Sequence, residues 1–294
     1  MCKRVLITGY KGFTGRYMAA ELSSAGYEVF GLGSAGSTES NYFVANLLDQ
    51  SELRAVLKQV EPDYVVHLAA IALVAHGTPN EFYNVNLIGT RNLLEAITSS
   101  GSPVKKVLVA SSANVYGNQA SGLLDETTPF NPANDYAVSK VAMEYVCSLF
   151  ADKLPIVVAR PFNYTGVGQL DNFLVPKIVN HFRNRAELIE LGNIDVQRDF
   201  NDVRAVVSAY LGLLEDGEVG EAYNVACGRP LSLMSIIESC EGITGHRIEV
   251  QVNPAFVRSN DVKVLAGDNK KLCSILPEWQ SIDMSDTLLW MLNS

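Results

Sequence analysis

The feature that most restricts what this chain can fold into lies near its start. In Val5-Leu-Ile-Thr-Gly-Tyr-Lys-Gly-Phe-Thr-Gly15, glycines recur as Gly9, Gly12 and Gly15 directly after an apolar run. A strand that ends in Thr-Gly and turns straight into a helix needs glycines for the tight turn, for close approach of a pyrophosphate to the backbone, and for packing of the helix on the sheet. The pyrophosphate then rests on the helix N-terminus. Gly9, Gly12 and Gly15, with Lys11, Phe13 and Thr14 between them, are therefore candidate dinucleotide contacts. A plain βα turn with incidental glycines is the alternative reading.

The rest of the first half alternates short β-branched runs with helical stretches, the α/β pattern. Strands are expected at Arg4–Thr8, Glu28–Leu32, Tyr42–Ala45, Tyr64–Leu68, Lys106–Ser111 and Pro155–Arg160. Helices are expected at Gly15–Ala25 and Asn86–Ser99, the second with Leu87, Leu94 and Ile97 on one face. Beyond Arg160 the rhythm breaks into Phe173–Phe182, a loop at Leu191–Asp199, a helix near Asp202–Leu214 and a strand at Ala222–Val225. The expected architecture is a Rossmann-type, doubly wound parallel sheet with a smaller C-terminal α/β substrate domain. Residues 1–163 would form the first, with 193–225 returning to it, and 164–192 with 226–294 the second.

Composition narrows the function classes. A formal net charge of −9 disfavours nucleic-acid or membrane surfaces, which need clustered Lys and Arg. No apolar run approaches the ~20 residues of a membrane span, and the N-terminus enters a strand pattern at once, so a cytoplasmic protein is expected. The five cysteines form no CxxC pair and the four histidines are well separated, so neither a disulfide framework nor a metal site is expected.

The spacing Thr8-Gly9-x-x-Gly12-x-x-Gly15 resembles that of the extended short-chain dehydrogenase/reductase family, and the resemblance runs along nearly the whole chain. His67-Leu-Ala-Ala70 is similar to the family's strand-four motif beside the cofactor, and Ser111-Ser-Ala-Asn-Val-Tyr-Gly117 to its strand-five signature. Asn86-x-x-Gly-Thr-x-Asn-Leu-Leu-Glu-Ala96 is similar to the helix between them, and Tyr136-Ala-Val-Ser-Lys140 to its YxxxK. Read alone, His67 is more often a satisfied core histidine than a ligand. The resemblance implies Ser112, Tyr136 and Lys140 as catalytic residues. Lys140, one helical turn from Tyr136, would stabilise the phenolate and hold the nicotinamide ribose. It further implies cofactor contacts at Asn46 and Leu47 (where the family usually has Asp-Leu), Leu68, Ala69, Ala70, Arg160 and Phe162. Substrate contacts are implied at Ser112, Asn114, Tyr136, Asn163 and Val175, with Lys177, Arg198 and Arg258 around a substrate diphosphate.

Within that family, Arg160-Pro-Phe-Asn-Tyr-Thr-Gly-Val-Gly-Gln169 and Gly192-Asn-Ile-Asp-Val-Gln-Arg-Asp-Phe-Asn-Asp-Val203 resemble most the reductases of GDP-4-keto-6-deoxy-D-mannose, departing at Tyr164-Thr165. The implied reaction is NADPH-dependent reduction of a C4 ketone giving GDP-D-rhamnose. Dehydratases need an acid two places after the catalytic Ser or Thr, and Asn114 stands there. A nucleotide-sugar 4-epimerase and a non-catalytic sugar-nucleotide binder remain alternatives. NADP(H) is favoured over NAD(H), because the second strand ends in Gly31-Leu-Gly-Ser34 without an acid, and Lys11 is near enough in sequence to meet a 2′-phosphate. The family suggests a homodimer.

Overall fold

Local rules account for most elements. The Asp49 side chain accepts from Ser51 N and Glu52 N and starts a helix whose Leu53, Val56, Leu57 and Val60 share one buried face. Glu61, at φ 45°, ends it in front of Pro62. Asn134 caps the helix that carries Tyr136 by accepting from Ala137 N.

The computed structural model describes residues 3–72, 78–101, 103–117, 122–257 and 263–294. In chain order the first strands are β1 (Arg4–Thr8), β2 (Glu28–Gly33), β3 (Tyr42–Val44), β4 (Tyr64–His67), β5 (Lys106–Ala110), β6 (Leu123–Leu124) and β7 (Ile156–Pro161). They are followed by β8 (Asn163–Thr165), β9 (Leu188–Leu191), β10 (Gln197–Asp202), β11 (Ala222–Val225), β12 (Pro230–Ser232), β13 (Glu249–Val252) and β14 (Val264–Gly267). The first helices are α1 (Phe13–Ser24), α2 (Gln50–Val60), α3 (Pro79–Phe82), α4 (Thr90–Ser100) and α5 (Asp135–Leu149). The others are α6 (Leu174–Arg183), α7 (Val203–Asp216), α8 (Leu233–Thr244), α9 (Lys270–Ile275) and α10 (Met284–Leu292).

Seven parallel strands in the order β11-β7-β5-β4-β1-β2-β3 form the large sheet. Its strands are buried on both faces, which explains the continuous apolar runs; every residue of β7 is buried. Helices α1 and α7 cover one face through Met18, Leu22, Val206, Tyr210 and Leu213. Helices α2, α4 and α5 cover the other through Leu53, Leu57, Leu93, Ile97 and Met143. The strand order reverses between β1 and β4, and a crevice outside the strand C-termini at such a point is where an open α/β sheet holds its ligand. A smaller sheet runs β12-β10-β14-β6, with β8 also paired to β10, while β9 and β13 pair separately. Around it, α6, α8 and α10 enclose a second core containing Ile178, Phe182, Ile236 and Leu288.

Two elements differ from expectation. The helix expected at Asn86–Ser99 begins as a π-helical stretch, Tyr83–Gly89, before α4. The wider winding serves Asn86, whose buried amide pairs with Ile71 N (2.9 Å) and O (3.1 Å) and with Ser139 Oγ (3.0 Å). Leu87 is consequently only half-buried, while Leu94 and Ile97 are in the core. The loop expected at Leu191–Asp199 contains the first half of β10. Asp199 and Asn201 are fully buried there, so the strand lacks an apolar alternation by which to recognise it.

Candidate active site

The glycine turn shows a division of labour. Gly9 has φ 72°, and a Cβ there would stand 2.8 Å from Ala69 N. At Gly15 a Cβ would stand 2.2 Å from Gly9 O, so no other residue lets α1 lie this close to the turn. Gly12 caps α1 with no side-chain bond to the first-turn amides. Those of Phe13, Thr14 and Gly15 are thus left for an anion, and the cradle fits a dinucleotide pyrophosphate.

Leu68, Ala69 and Ala70 follow β4 opposite this turn, held by Leu68 N to Thr8 O (3.2 Å) and Ala69 N to Thr8 Oγ1 (3.2 Å). Thr8 Oγ1 lies 2.6 Å from His67 Nδ1, and Thr90 Oγ1 lies 2.8 Å from His67 Nε2. Because Thr90 donates its own proton to Asn86 O (2.7 Å), it accepts from Nε2–H, which leaves Nδ1 to accept from Thr8. His67 is a neutral, satisfied core histidine that ties β1, β4 and α4 together beneath the crevice. Burial, and the nearby Lys140 charge, hold its pKa down at about 3.

Across the glycine turn from β4, Ser34 is exposed just past β2. Lys11 Nζ reaches over to the same loop, donating to Gly36 O (2.8 Å) and lying 4.4 Å from the Tyr42 ring centroid. Asn46 accepts at Oδ1 from Leu48 N (3.0 Å), so its acceptor is shared with a turn, and Leu47 packs beneath Gly89.

At the other side of the crevice, Tyr136 opens α5 with Lys140 one turn on; both are buried. Lys140 Nζ donates to Ala110 O (2.8 Å) at the end of β5. Burial brings its pKa down to about 8, against Cys147 and Glu144, which raise it. Burial pushes the Tyr136 phenol up to about 12, while a hydrogen bond from Ser112 acts in the opposite direction. Ser112 Oγ accepts from Asn114 N (3.2 Å) and Nδ2 (3.0 Å), which leaves its proton free to donate toward the phenol. Asn114 is exposed beside it, an amide where a dehydratase needs a carboxyl.

Three expected contacts are replaced by packing. Arg160 does not face the crevice: its guanidinium is buried against the Glu144 carboxylate, Tyr116 and Glu126 O, which use up most of its donors. The Phe162 ring is 2% exposed and stacks against Tyr116, so only its backbone is left for a cofactor. The Val175 side chain lies in the second core at 2% exposed, leaving its amide in the first turn of α6, whose cap residue Phe173 makes no side-chain bond. Asn163 is exposed at the start of β8. The expected diphosphate cations are not drawn together by any contact among the described residues. Lys177 donates to Glu190 O (2.7 Å) and lies 4.7 Å from the Phe256 ring centroid, and Arg198 Nη1 donates to Gln197 O (2.8 Å). Arg258 lies outside the described residues.

Tyr164, a departure from the family pattern, has a place that sequence did not assign it. Its phenol lies 2.8 Å from Thr14 Oγ1, and its ring stacks on Phe13 at 6.1 Å. Tyr210 is buried with its hydroxyl unpaired, and burial pushes its pKa well above the ordinary phenol value. No group of His, Cys, Asp and Glu among the described residues is arranged to hold a metal.

Residues 5–226 match the NAD dependent epimerase/dehydratase family. The chain belongs to that family. It is an NAD(P)-dependent enzyme of the extended short-chain dehydrogenase/reductase type. It is 36% identical to GDP-6-deoxy-D-talose 4-dehydrogenase of Aggregatibacter actinomycetemcomitans over 93% of this chain and 91% of that one. To GDP-6-deoxy-D-mannose reductase of Pseudomonas aeruginosa it is 34% identical, over 92% and 90%. The solved structure of RMD from Pseudomonas aeruginosa, complexed with NADPH, superposes with a TM-score of 0.87 at 31% identity, covering 99% of this chain and 98% of that one. These family relatives act on nucleotide sugars, and this family member is a nucleotide-sugar-modifying oxidoreductase that uses a nicotinamide cofactor.

Proposed function

We propose that this enzyme uses NADPH to reduce the C4 ketone of a 4-keto-6-deoxy nucleotide sugar, GDP-4-keto-6-deoxy-D-mannose above others, with GDP-D-rhamnose as product. The observation that carries the reading is the pairing of Ser112 with Asn114. An amide cannot take the C5 proton that dehydration requires, which favours hydride transfer at C4 without dehydration. The names of two relatives, both of GDP-6-deoxy sugars, favour the same substrate class.

The cofactor supplies the hydride. First-turn amides of α1 hold its pyrophosphate, Lys11 and Ser34 accommodate the 2′-phosphate, Asn46 and Leu47 flank adenine, and Lys140 holds the nicotinamide ribose. Ser112 donates to the substrate carbonyl, and Tyr136 delivers its proton to the alkoxide, so developing charge meets donors already in place. The positive charge of Lys140 lowers the cost of the phenolate left behind. Residues 164–192 and 226–294, joined by β10 from between them, form the sugar-nucleotide lobe, in which Lys177 and Arg198 are the described candidates for the diphosphate.

The test is NADPH oxidation with GDP-linked and dTDP-linked 4-keto-6-deoxy sugars. Turnover with the GDP-linked ketone supports the reading, and the H3–H4 coupling of the product separates GDP-D-rhamnose from its C4 epimer. Oxidation with neither substrate, together with NAD retained through purification, overturns it in favour of a 4-epimerase. Tyr136→Phe is expected to lower turnover by roughly 10²–10⁴-fold while NADPH still binds, measured by fluorescence titration.

A further inference from the structure

One turn beyond Lys140, the buried face of α5 carries another charged group, Glu144, which the chemistry above does not use. It is 7% exposed and receives Arg160 Nε at 3.0 and 3.1 Å and Nη2 at 2.7 Å. Ser111, the residue before Ser112, donates its hydroxyl to the same carboxylate. Arg160 Nη1 continues to Tyr116 Oη (2.9 Å) and Glu126 O (3.3 Å). Tyr116 donates to Asn224 Oδ1 (2.7 Å), and Asn224 N donates to Glu126 Oε1 (2.7 Å).

This network joins the residue after β5, the middle of α5, β7 and β11. Desolvation offsets much of what a buried ion pair gains, and two well-packed apolar side chains would hold α5 against β7 about as well. They could not grip Ser111. We propose that the Glu144–Arg160 pair, acting through Ser111, is the positioning unit that fixes Ser112, two residues past β5, relative to Tyr136 and Lys140 on α5.

The inference rests on the reading of those three residues as the catalytic set. The pair also governs charge at the site. The groups that act on Lys140 are Glu144 and Cys147 on its own helix and His67 from β4, with the Ala110 carbonyl from β5 and the Met143 sulfur beside its ammonium, while Arg160 from β7 lies against Glu144. His67 is neutral at working pH, burial pushes Cys147 up to about 12, and the Arg160 charge is matched by Glu144. Glu144 is thus the one fixed negative charge in this set that helps Lys140 keep its proton.

Ser111→Ala removes the tie and leaves the ion pair whole. It is expected to lower kcat about tenfold, with KM for NADPH and sugar nucleotide within about twofold of wild type and an unchanged circular dichroism spectrum. Glu144→Gln keeps the shape and drops the charge, and should shift the alkaline limb of the kcat profile about one unit toward lower pH. Wild-type kcat in Ser111→Ala, or a loss matched by an equal rise in KM, overturns the proposal, as does an unmoved alkaline limb in a folded Glu144→Gln. If Glu144→Gln does not fold, Ser111→Ala decides alone. A wild-type enzyme inactive on every 4-keto sugar defeats the reductase reading, not this one; the variant-to-wild-type ratio is then measured on 4-epimerisation.

Discussion

Lys140 and Tyr136 are a buried base and a buried acid whose environments act on them in opposite senses. With the lysine held down at about 8, raising the pH through that value removes the cation that would steady a phenolate. Reduction is therefore expected to fall above about pH 8 with a single-proton limb, seen in the pH dependence of kcat/KM; Lys140→Arg should carry that limb upward at a lower plateau. His67 sets the acid side of stability. Its folded pKa is depressed below the unfolded 6.5, so its contribution is complete above that value and is lost as the pH falls toward 3. Across that window stability should decline by about 1.4 kcal/mol per pH unit from this residue alone. Urea unfolding at pH 7 and pH 5 should show a smaller difference in His67→Gln than in wild type. Individual residues were unevenly legible in the sequence. The spacing of Tyr136 and Lys140 puts them on one helical face, while the resemblance alone points to Ser112 and to Arg160 as a cofactor contact; nothing local to Arg160 announces its partner sixteen residues away, in Glu144. An acid one helical turn past Lys140 was the available signal.

At the scale of elements, the βα turn at the start was readable because its glycines answer to backbone geometry alone. Gly15→Ala puts a methyl 2.2 Å from Gly9 O, and is expected to cost roughly 1–3 kcal/mol in urea unfolding and to abolish NADPH binding. Most strands of the large sheet were legible to within a residue because burial on both faces leaves an uninterrupted apolar run. β10 was not, since its inward positions hold Asp199 and Asn201. The Asp199 carboxylate accepts from Cys227 N (2.9 Å), Gly228 N (2.9 Å) and Gly267 N (3.3 Å), so its partners are distant backbone amides that no local pattern reveals. The π-helical stretch was hidden for a related reason: its cause is the reach of Asn86 to Ile71 and Ser139.

For the whole molecule, the two sheets meet through the first turns of α1. Besides Thr14 and Phe13 on Tyr164, Tyr17 Oη donates to Val167 O (2.7 Å) and Arg16 Nη2 to Gly168 O (3.2 Å). The turn whose amides suit a pyrophosphate is thereby fastened to the segment leading into α6. NADPH is expected to tighten GDP binding, with a coupling of about 1 kcal/mol that shrinks in Tyr164→Phe, measured by titration calorimetry with and without cofactor. The order of strands has another consequence. The chain first leaves the large sheet after β5 for β6, returns through α5 and β7, pairs β8 and β10 in the small one, returns through α7 and β11, and leaves again into β12. Covalent continuity between the two layers is therefore redundant: a protease cut at any single crossing leaves the others spanning the gap. A nicked enzyme should stay in one piece under native conditions, and the two layers have no lone pivot about which to swing apart.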